Sequence, residues 1–268
     1  KLAHTAIVLH MQTPRLIALD MDGTLLDPSG RVPDEFWGLL DSARAQGVTI
    51  APASGRQLAT LQAMFPGCDT FIAENGAVVW HGGRVVSTTA LPDAPVQRLL
   101  DALPDAPFTA HLVVCAPEVA ATAALPPFVD AEVDKYYASR SALEGERPTP
   151  TVKLALYIES DAERDAYPWV QEHVPELRAV VSGAHWLDLM HPEADKGKAL
   201  AELAGVLGVA MSDTAAFGDY LNDYGMLQAA GHAVAMGNAH ADLKAVADEV
   251  VGTNAEHGVV VRLAQWLQ

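Results

Sequence analysis

Two cysteines in 268 residues are too few for a disulfide framework, and Cys68 and Cys115 stand at no metal-ligand spacing. They read as two buried thiols, with a reducing cytoplasm as the expected location. Basic residues are scarce as well. Lys plus Arg number 17 against 34 Asp plus Glu, a formal net charge of -17. Such a surface repels nucleic-acid backbones and anionic membranes, so neither is expected as a partner, and any anionic ligand must be held by a few local cations. No uncharged apolar run approaches the roughly 20 residues that a spanning helix needs. Half the residues are hydrophobic nonetheless, ample for a packed core, and the chain reads as a soluble protein. There is no internal repeat, no low-complexity segment beyond mild alanine and proline enrichment, and no evident protein-docking signal.

The length exceeds that of a usual single domain, so one large domain or a core with an inserted one is expected. KLAHTAIVLH, ahead of Met11, looks like neither a signal peptide nor the opening of a domain. Residues 1–14 are therefore set aside as leader or disordered chain, with the native start read at Met11. LIALD (16–20) then reads as a strand. DEFWGLLDSARAQG (34–47) reads as a helix with one apolar face (Phe36, Leu39, Leu40, Ala43) closed by Gly47, VTIAPAS (48–54) as a second strand and RQLATLQAMF (56–65) as a second helix. This alternation predicts a parallel sheet covered on both faces.

After Asn75 the pattern changes. GAVVWHGGRVVS reads as a hairpin around Gly82-Gly83, and proline-rich connections with short strands, HLVVCA (111–116) and KLALYIE (153–159), follow with an amphipathic stretch near 162–174. Alternation resumes with a strand at HWLDLMH (185–191), a helix at KGKALAELAGVLG (196–208), a strand at AAFGD (215–219) and a helix at NDYGMLQAAG (222–231). The expected architecture is α/β: a Rossmann-like parallel-sheet core from residues 15–83 plus 185–268, with an inserted α+β cap over residues 84–184.

Four chemical positions then share one address. Asp20, Ser54 and Asp219 each close a strand, and Lys196 opens the helix after a fourth. In an open parallel sheet such positions converge on the crevice at the strands' carboxyl ends. Carboxylates gathered there repel one another, and hard oxygens without histidine or cysteine suit Mg2+. A calcium loop counted from Asp20 fails, because Leu25 and Arg31 stand where glycine and glutamate belong. A Walker loop fails too, with Pro192 and Ala199 at two of its required positions. Singly, each piece is equally a turn, a cap or a solvated lysine; jointly and in this order they form a site.

With DMDGTLLD (20–27), SGR (54–56), DKGKAL (195–200) and GDYLND (218–223), the chain resembles the haloacid dehalogenase-like hydrolases over residues 15–268, specifically the Cof-type branch with a type IIB cap. The resemblance implies a Mg2+-dependent phosphatase acting through an aspartyl-phosphate. It gives Asp20 as nucleophile and metal ligand, and Asp22 as acid/base and a ligand through its backbone carbonyl. Ser54, Gly55 and Lys196 would hold phosphate, Asp219 and Asp223 would serve the metal, and Asn222 the phosphate. Two departures stand out: Ser54 replaces the commoner threonine, and Tyr220 stands where a polar residue is frequent. Arg56 and the turn ENGA (74–77) stand where the core could meet a leaving group, and Arg56 is open to two readings, a surface salt bridge or a substrate contact. His111, His173, His185, His191 and Trp186 read as structural. The expected partner is a small phosphorylated metabolite, a sugar phosphate or phosphorylated cofactor, selected by the cap. A phosphosugar mutase of the phosphomannomutase kind, a trehalose- or sucrose-phosphate phosphatase and a catalytically silent phosphometabolite-binding module remain as alternatives.

Overall fold

A computed structural model of the chain describes residues 13–267; the leader expected ahead of Met11 lies outside the described residues. In chain order the strands are β1 (Leu16–Asp20), β2 (Thr49–Ala53), β3 (Thr70–Ala73), β4 (Val78–His81), β5 (Arg84–Thr88), β6 (Ala110–Cys115) and β7 (Ala120–Thr122). They continue with β8 (Arg140–Ala142), β9 (Lys153–Ile158), β10 (Arg178–Val181), β11 (Trp186–Met190), β12 (Thr214–Gly218), β13 (His232–Ala235) and β14 (Glu249–Val250). One sheet of eight has the order β14-β13-β12-β1-β2-β3-β4-β5, and a second of six has the order β10-β11-β9-β6-β7-β8.

The first sheet is parallel from β14 to β3, as continuous apolar runs such as LIALD require: all five residues of β1 are buried. From β1 the chain winds outward to β3, and from β12 it winds the other way to β14. The reversal lies between the adjacent strands β1 and β12, where an open α/β sheet forms its ligand crevice. Helices Glu35–Ala45 and Leu58–Met64 follow β1 and β2. Gly47, at φ 72°, turns the chain after the first of them. Phe36 meets Trp37 and Phe65 edge-on at 5.6 and 5.9 Å, filling the layer beneath the sheet.

Two strands fall on the other side of the expected boundaries. β5 lies in the eight-stranded sheet, as the antiparallel edge partner of β4. The hairpin that resembled the start of an inserted domain is instead an extension of the core sheet. β11, expected in the parallel sheet, pairs antiparallel with β9 and β10 in the six-stranded sheet. Its run WLDLM is covered on both faces, which is why it reads like a parallel strand. Leu187 and Leu189 pack with Leu154, Leu156 and Ile158 in one hydrophobic cluster, whereas Trp186 and Met190 join the cluster shared with the core. The six-stranded sheet therefore turns one face to its own helices and the other to the crevice of the core sheet.

The chain re-enters the core through Asp195, whose Oδ1 accepts the N–H of Gly197 (2.8 Å) and of Lys198 (3.1 Å). This caps helix Lys196–Leu207 and fixes Lys196 as its first residue. Asp195→Ala is expected to lower unfolding free energy by about 1–2 kcal/mol, with Asp195→Asn losing less because it keeps an acceptor oxygen. Urea midpoints at unchanged slope would measure both, and equal stability of Asp195→Ala and the parent would remove the cap from the account.

Candidate active site

β1 delivers Asp20 to the crevice floor, 5 % exposed. The next turn passes so close to β12 that a side chain at Gly23 (φ 81°) would put its Cβ 2.1 Å from Asp219 Oδ2. Only glycine fits there. Asn238 Nδ2 donates to the Gly23 carbonyl (2.8 Å) and Asp219 Oδ2 (3.4 Å), and Thr24 Oγ1 donates to Asp219 Oδ1 (3.4 Å). Lys196 Nζ donates to Asp20 Oδ1 (2.5 Å) and Asp223 Oδ1 (2.7 Å), with all three side chains buried. The other oxygen of Asp223 accepts the backbone N–H groups of Asp219 (3.1 Å) and Tyr220 (3.3 Å), so one carboxylate both orients the lysine and folds the GDYLND loop.

Three carboxylates share this floor: oxygens of Asp20, Asp219 and Asp223 lie within 4.8 Å of one another. Burial first, and then the Asp223 charge, push Asp20 up to about 7 against the pull of Lys196. The same two causes push Asp219 up to about 6. Burial opposes the charge of Lys196, but Asp20 and Asp223 outweigh it and raise the lysine above its usual value. One ammonium cannot balance three carboxylates, and the donor set is all hard oxygen, so the site fits a divalent cation. The Asp22 carboxylate is not in this cluster. It is largely exposed and faces Arg56, which grips it through Nη2–Oδ1 (2.7 Å) and Nε–Oδ2 (3.2 Å). Of the two readings of Arg56, the salt bridge is present, and it lies inside the cavity.

Ser54 is buried at the end of β2, its Oγ accepting the N–H of Arg56 (3.2 Å). The turn after β3 folds onto this loop: Glu74 N–H donates to Arg56 O (3.1 Å) and Asn75 N–H to Ser54 O (2.9 Å), with Glu74 and Asn75 both left-handed at φ 51° and 55°. Against that turn sits Lys153 of β9, its Nζ 2.5 Å from Glu74 Oε2 and 3.4 Å from Gly55 O. The pair is buried, and Glu74 Oε1 has no hydrogen-bond partner. Burial raises the Glu74 carboxyl, while for Lys153 the surrounding Glu74, Tyr137 and Asp188 outweigh burial and raise the lysine.

Core and second sheet together enclose a cavity of 740 Å³. Asp20, Asp22, Ser54, Gly55, Arg56, Asp219 and Asn222 line it from the core; Lys196 and Asp223 lie beneath. Tyr220 is exposed in the same wall, its ring edge-on to His240 at 5.9 Å. Trp186, expected as core, reaches the cavity as well. The four histidines singled out are structural: His111 meets Glu159, His173 stacks on Trp169, His185 meets Ile158 O and His191 accepts the N–H of Glu193. Thr24, Asn238 and Lys153 were missed, whereas Glu74 belongs to the turn ENGA (74–77) that the sequence set beside Arg56. Asn238 follows the end of β13, so the strand-end logic that found Asp219 could have found it. Lys153 gives no sequence signal, because its partner is 79 residues away.

A family model for haloacid dehalogenase-like hydrolases matches residues 17–263. The chain is 31 % identical over 281 residues to the Bacillus subtilis protein named phosphatase YwpJ, covering 91 % of this chain and 97 % of that one. It is 28 % identical over 264 residues to a second Bacillus subtilis protein, named 5-amino-6-(5-phospho-D-ribitylamino)uracil phosphatase YcsE (94 % and 96 % covered). The fold superposes with a TM-score of 0.73 on a crystal structure described as a subclass IIB sugar phosphatase, at 22 % identity and with 94 % and 98 % of the two chains covered. Family model and relatives thus span nearly the whole described chain, core and second sheet alike: the chain belongs to the haloacid dehalogenase-like hydrolases, in the Cof-type branch, and is a phosphatase.

Proposed function

We propose that the protein hydrolyses small phosphorylated metabolites, sugar phosphates or phosphorylated cofactors, with Mg2+ and through an aspartyl-phosphate on Asp20. The observation that carries this reading is the Lys196 ammonium 2.5 Å from Asp20 Oδ1, on the floor of the cavity between core and cap. In this reading the segment between β5 and the end of β11, which builds the six-stranded sheet, is the specificity insert. The name of YcsE supports a phosphorylated cofactor precursor as one candidate class.

A phosphate dianion and an anionic nucleophile repel each other, so the phosphoryl oxygens must be neutralised before attack. Lys196, the Ser54 hydroxyl and the amides of the Asp20–Gly23 turn are the groups this chain brings to them. Asp20 and Asp219, with Asp223 behind, would hold Mg2+, which supplies further charge neutralisation when bound. An Asp20 oxygen attacks phosphorus as the bond to the leaving oxygen breaks, and Asp22 gives that oxygen its proton. Asp22 then takes a proton from a water whose oxygen attacks phosphorus as the bond to Asp20 breaks, releasing orthophosphate and restoring the Asp20 carboxylate. Arg56, bound to Asp22, holds it at the cavity wall. The silent-module alternative is disfavoured by the presence of every ionisable group this sequence of steps needs, and a mutase by the absence of its glycine-rich fourth motif.

Metal dependence carries a pH signature. Asp20 and Asp219 sit above their unfolded values, so the stability they contribute is full below about pH 4 and is lost as pH rises through 6 and 7. Mg2+ restores it by taking the place of protons, and as pH falls below these values its apparent affinity drops by up to roughly tenfold per pH unit for each proton displaced. The rise in melting temperature from chelator to Mg2+ should therefore be larger at pH 8 than at pH 5. Equal shifts, or full activity in excess chelator, would sink the assignment.

The two aspartates separate by their kinetics. Asp20→Asn should form no phosphoenzyme. Asp22→Asn keeps the nucleophile and the carboxylate cluster but loses proton transfer, a deficit of roughly 10²–10⁴-fold. With p-nitrophenyl phosphate, whose leaving group needs no proton, a phosphoryl adduct should accumulate on the Asp20 peptide and be visible by mass spectrometry after acid quench. Normal turnover of Asp22→Asn, or an adduct on Ser54, would refute this division of roles.

A further inference from the structure

The cap sheet turns an alternating set of side chains to the cavity. Register pairs Arg178 with Met190 and Val180 with Asp188 across β10 and β11, and Asp188 with Ala155 across β11 and β9. Arg178, Val180, Trp186, Asp188 and Met190 all line the cavity. Among the described arginines that are not fully exposed, Arg56, Arg140, Arg147 and Arg262 each pair with a carboxylate within 4.0 Å. Arg178 has none, and its Nε is closed off from solvent without a hydrogen-bond partner. Exposed Arg15 and Arg84 also have no carboxylate within 4.0 Å among the described residues, but of the three only Arg178 stands in the cavity wall.

Resting on the phosphatase reading, we propose that Arg178 is a specificity-determining residue that binds a second anionic group on the leaving group. The substrate class is then a phosphate monoester whose alcohol also carries a carboxylate or another phosphate. Three features argue for it. Arg178 comes from the cap, whereas Asp20, Ser54 and Lys196, the groups assigned to the transferred phosphoryl group, come from the core, so the two anion sites lie on opposite walls. Guanidinium presents a planar fork of donors matched to carboxylate or phosphate, and Arg178 brings it to the cavity wall. The neighbouring Trp186 and Met190 are apolar and buried, which strengthens a charge-assisted pair there, and the Asp188 carboxylate on the same wall forms no ion pair with Arg178.

The test measures inhibition of Mg2+-supported p-nitrophenyl phosphate turnover by two esters that differ only in a carboxylate, 3-phosphoglycerate and glycerol 3-phosphate. The parent should bind 3-phosphoglycerate roughly tenfold or more tightly than glycerol 3-phosphate, as a charged hydrogen-bonded pair provides. Arg178→Gln should bring the ratio near one, and Arg178→Lys should restore part of it. The more drastic Arg178→Glu should invert it, and circular dichroism with retained p-nitrophenyl phosphate turnover reports folding for each variant. Equal inhibition by the two esters in the parent, or a ratio that persists in Arg178→Gln, overturns the proposal. Loss of turnover in folded Arg178→Gln without change in the ratio overturns it too, by placing the arginine on the transferred phosphoryl group. A parent that hydrolyses no ester at all, even with Mg2+, refutes the phosphatase reading itself and is recognised as such before Arg178 is altered.

Discussion

The buried ammonium of Lys196 is the constraint on which the catalytic floor depends. It lies between Asp20 and Asp223, at 2.5 and 2.7 Å, and a pair of this kind is costly to desolvate unless each remaining lone pair is used. The chain uses them. Asp223 spends its second oxygen on the amides of Asp219 and Tyr220, and Asp219 accepts from Thr24 and Asn238. Asp195 fixes the helix start that presents the lysine. Four segments separated by up to 218 positions, from Asp20 to Asn238, are thereby held at one point. What stays uncompensated is negative charge, and that residue of charge is what makes the floor receptive to a divalent cation and then to a phosphate.

The seam between the sheets follows a similar logic one layer higher. Glu74 and Asn75 adopt left-handed backbone conformations that cost of order 1–3 kcal/mol each for residues of this kind. Their turn carries hydrogen bonds to the SGR loop on one side and the Glu74–Lys153 ion pair to the cap on the other. Phosphate loop and cap strand therefore cannot shift independently near Gly55. Further out the contacts are looser: Tyr220, Leu221 and Val180 are all well exposed at the cavity rim.

Charge distribution ties these parts together. A chain of net charge -17 can hold an anionic substrate only by concentrating its few cations, and Arg56, Lys153 and Arg178 line one cavity above Lys196. They differ in what they face. Lys196 and Lys153 are bound to buried carboxylates, Arg56 to the exposed Asp22, and Arg178 to no carboxylate. The order runs from the most committed cation on the core floor to the least committed in the six-stranded sheet.

Periodicity and motif order in the sequence determined much of this protein. The parallel core is written in LIALD, VTIAPAS and AAFGD because a strand buried on both faces must be continuously apolar. The positions of Asp20, Ser54 and Asp219 are legible because strand ends in such a sheet have one shared destination. The same logic failed where pattern and partner disagree. The β4–β5 hairpin gives no sign that it joins the core sheet, and WLDLM reads the same for a parallel core strand as for a cap strand packed on both sides. Only the tertiary structure decided that Asp22 would turn to Arg56, that Lys153 would meet Glu74 and that Arg178 would stand over the cavity. Each depends on the spatial approach of segments whose separation in sequence carries no period, and long-range pairing of charges leaves no local trace in the chain that makes it.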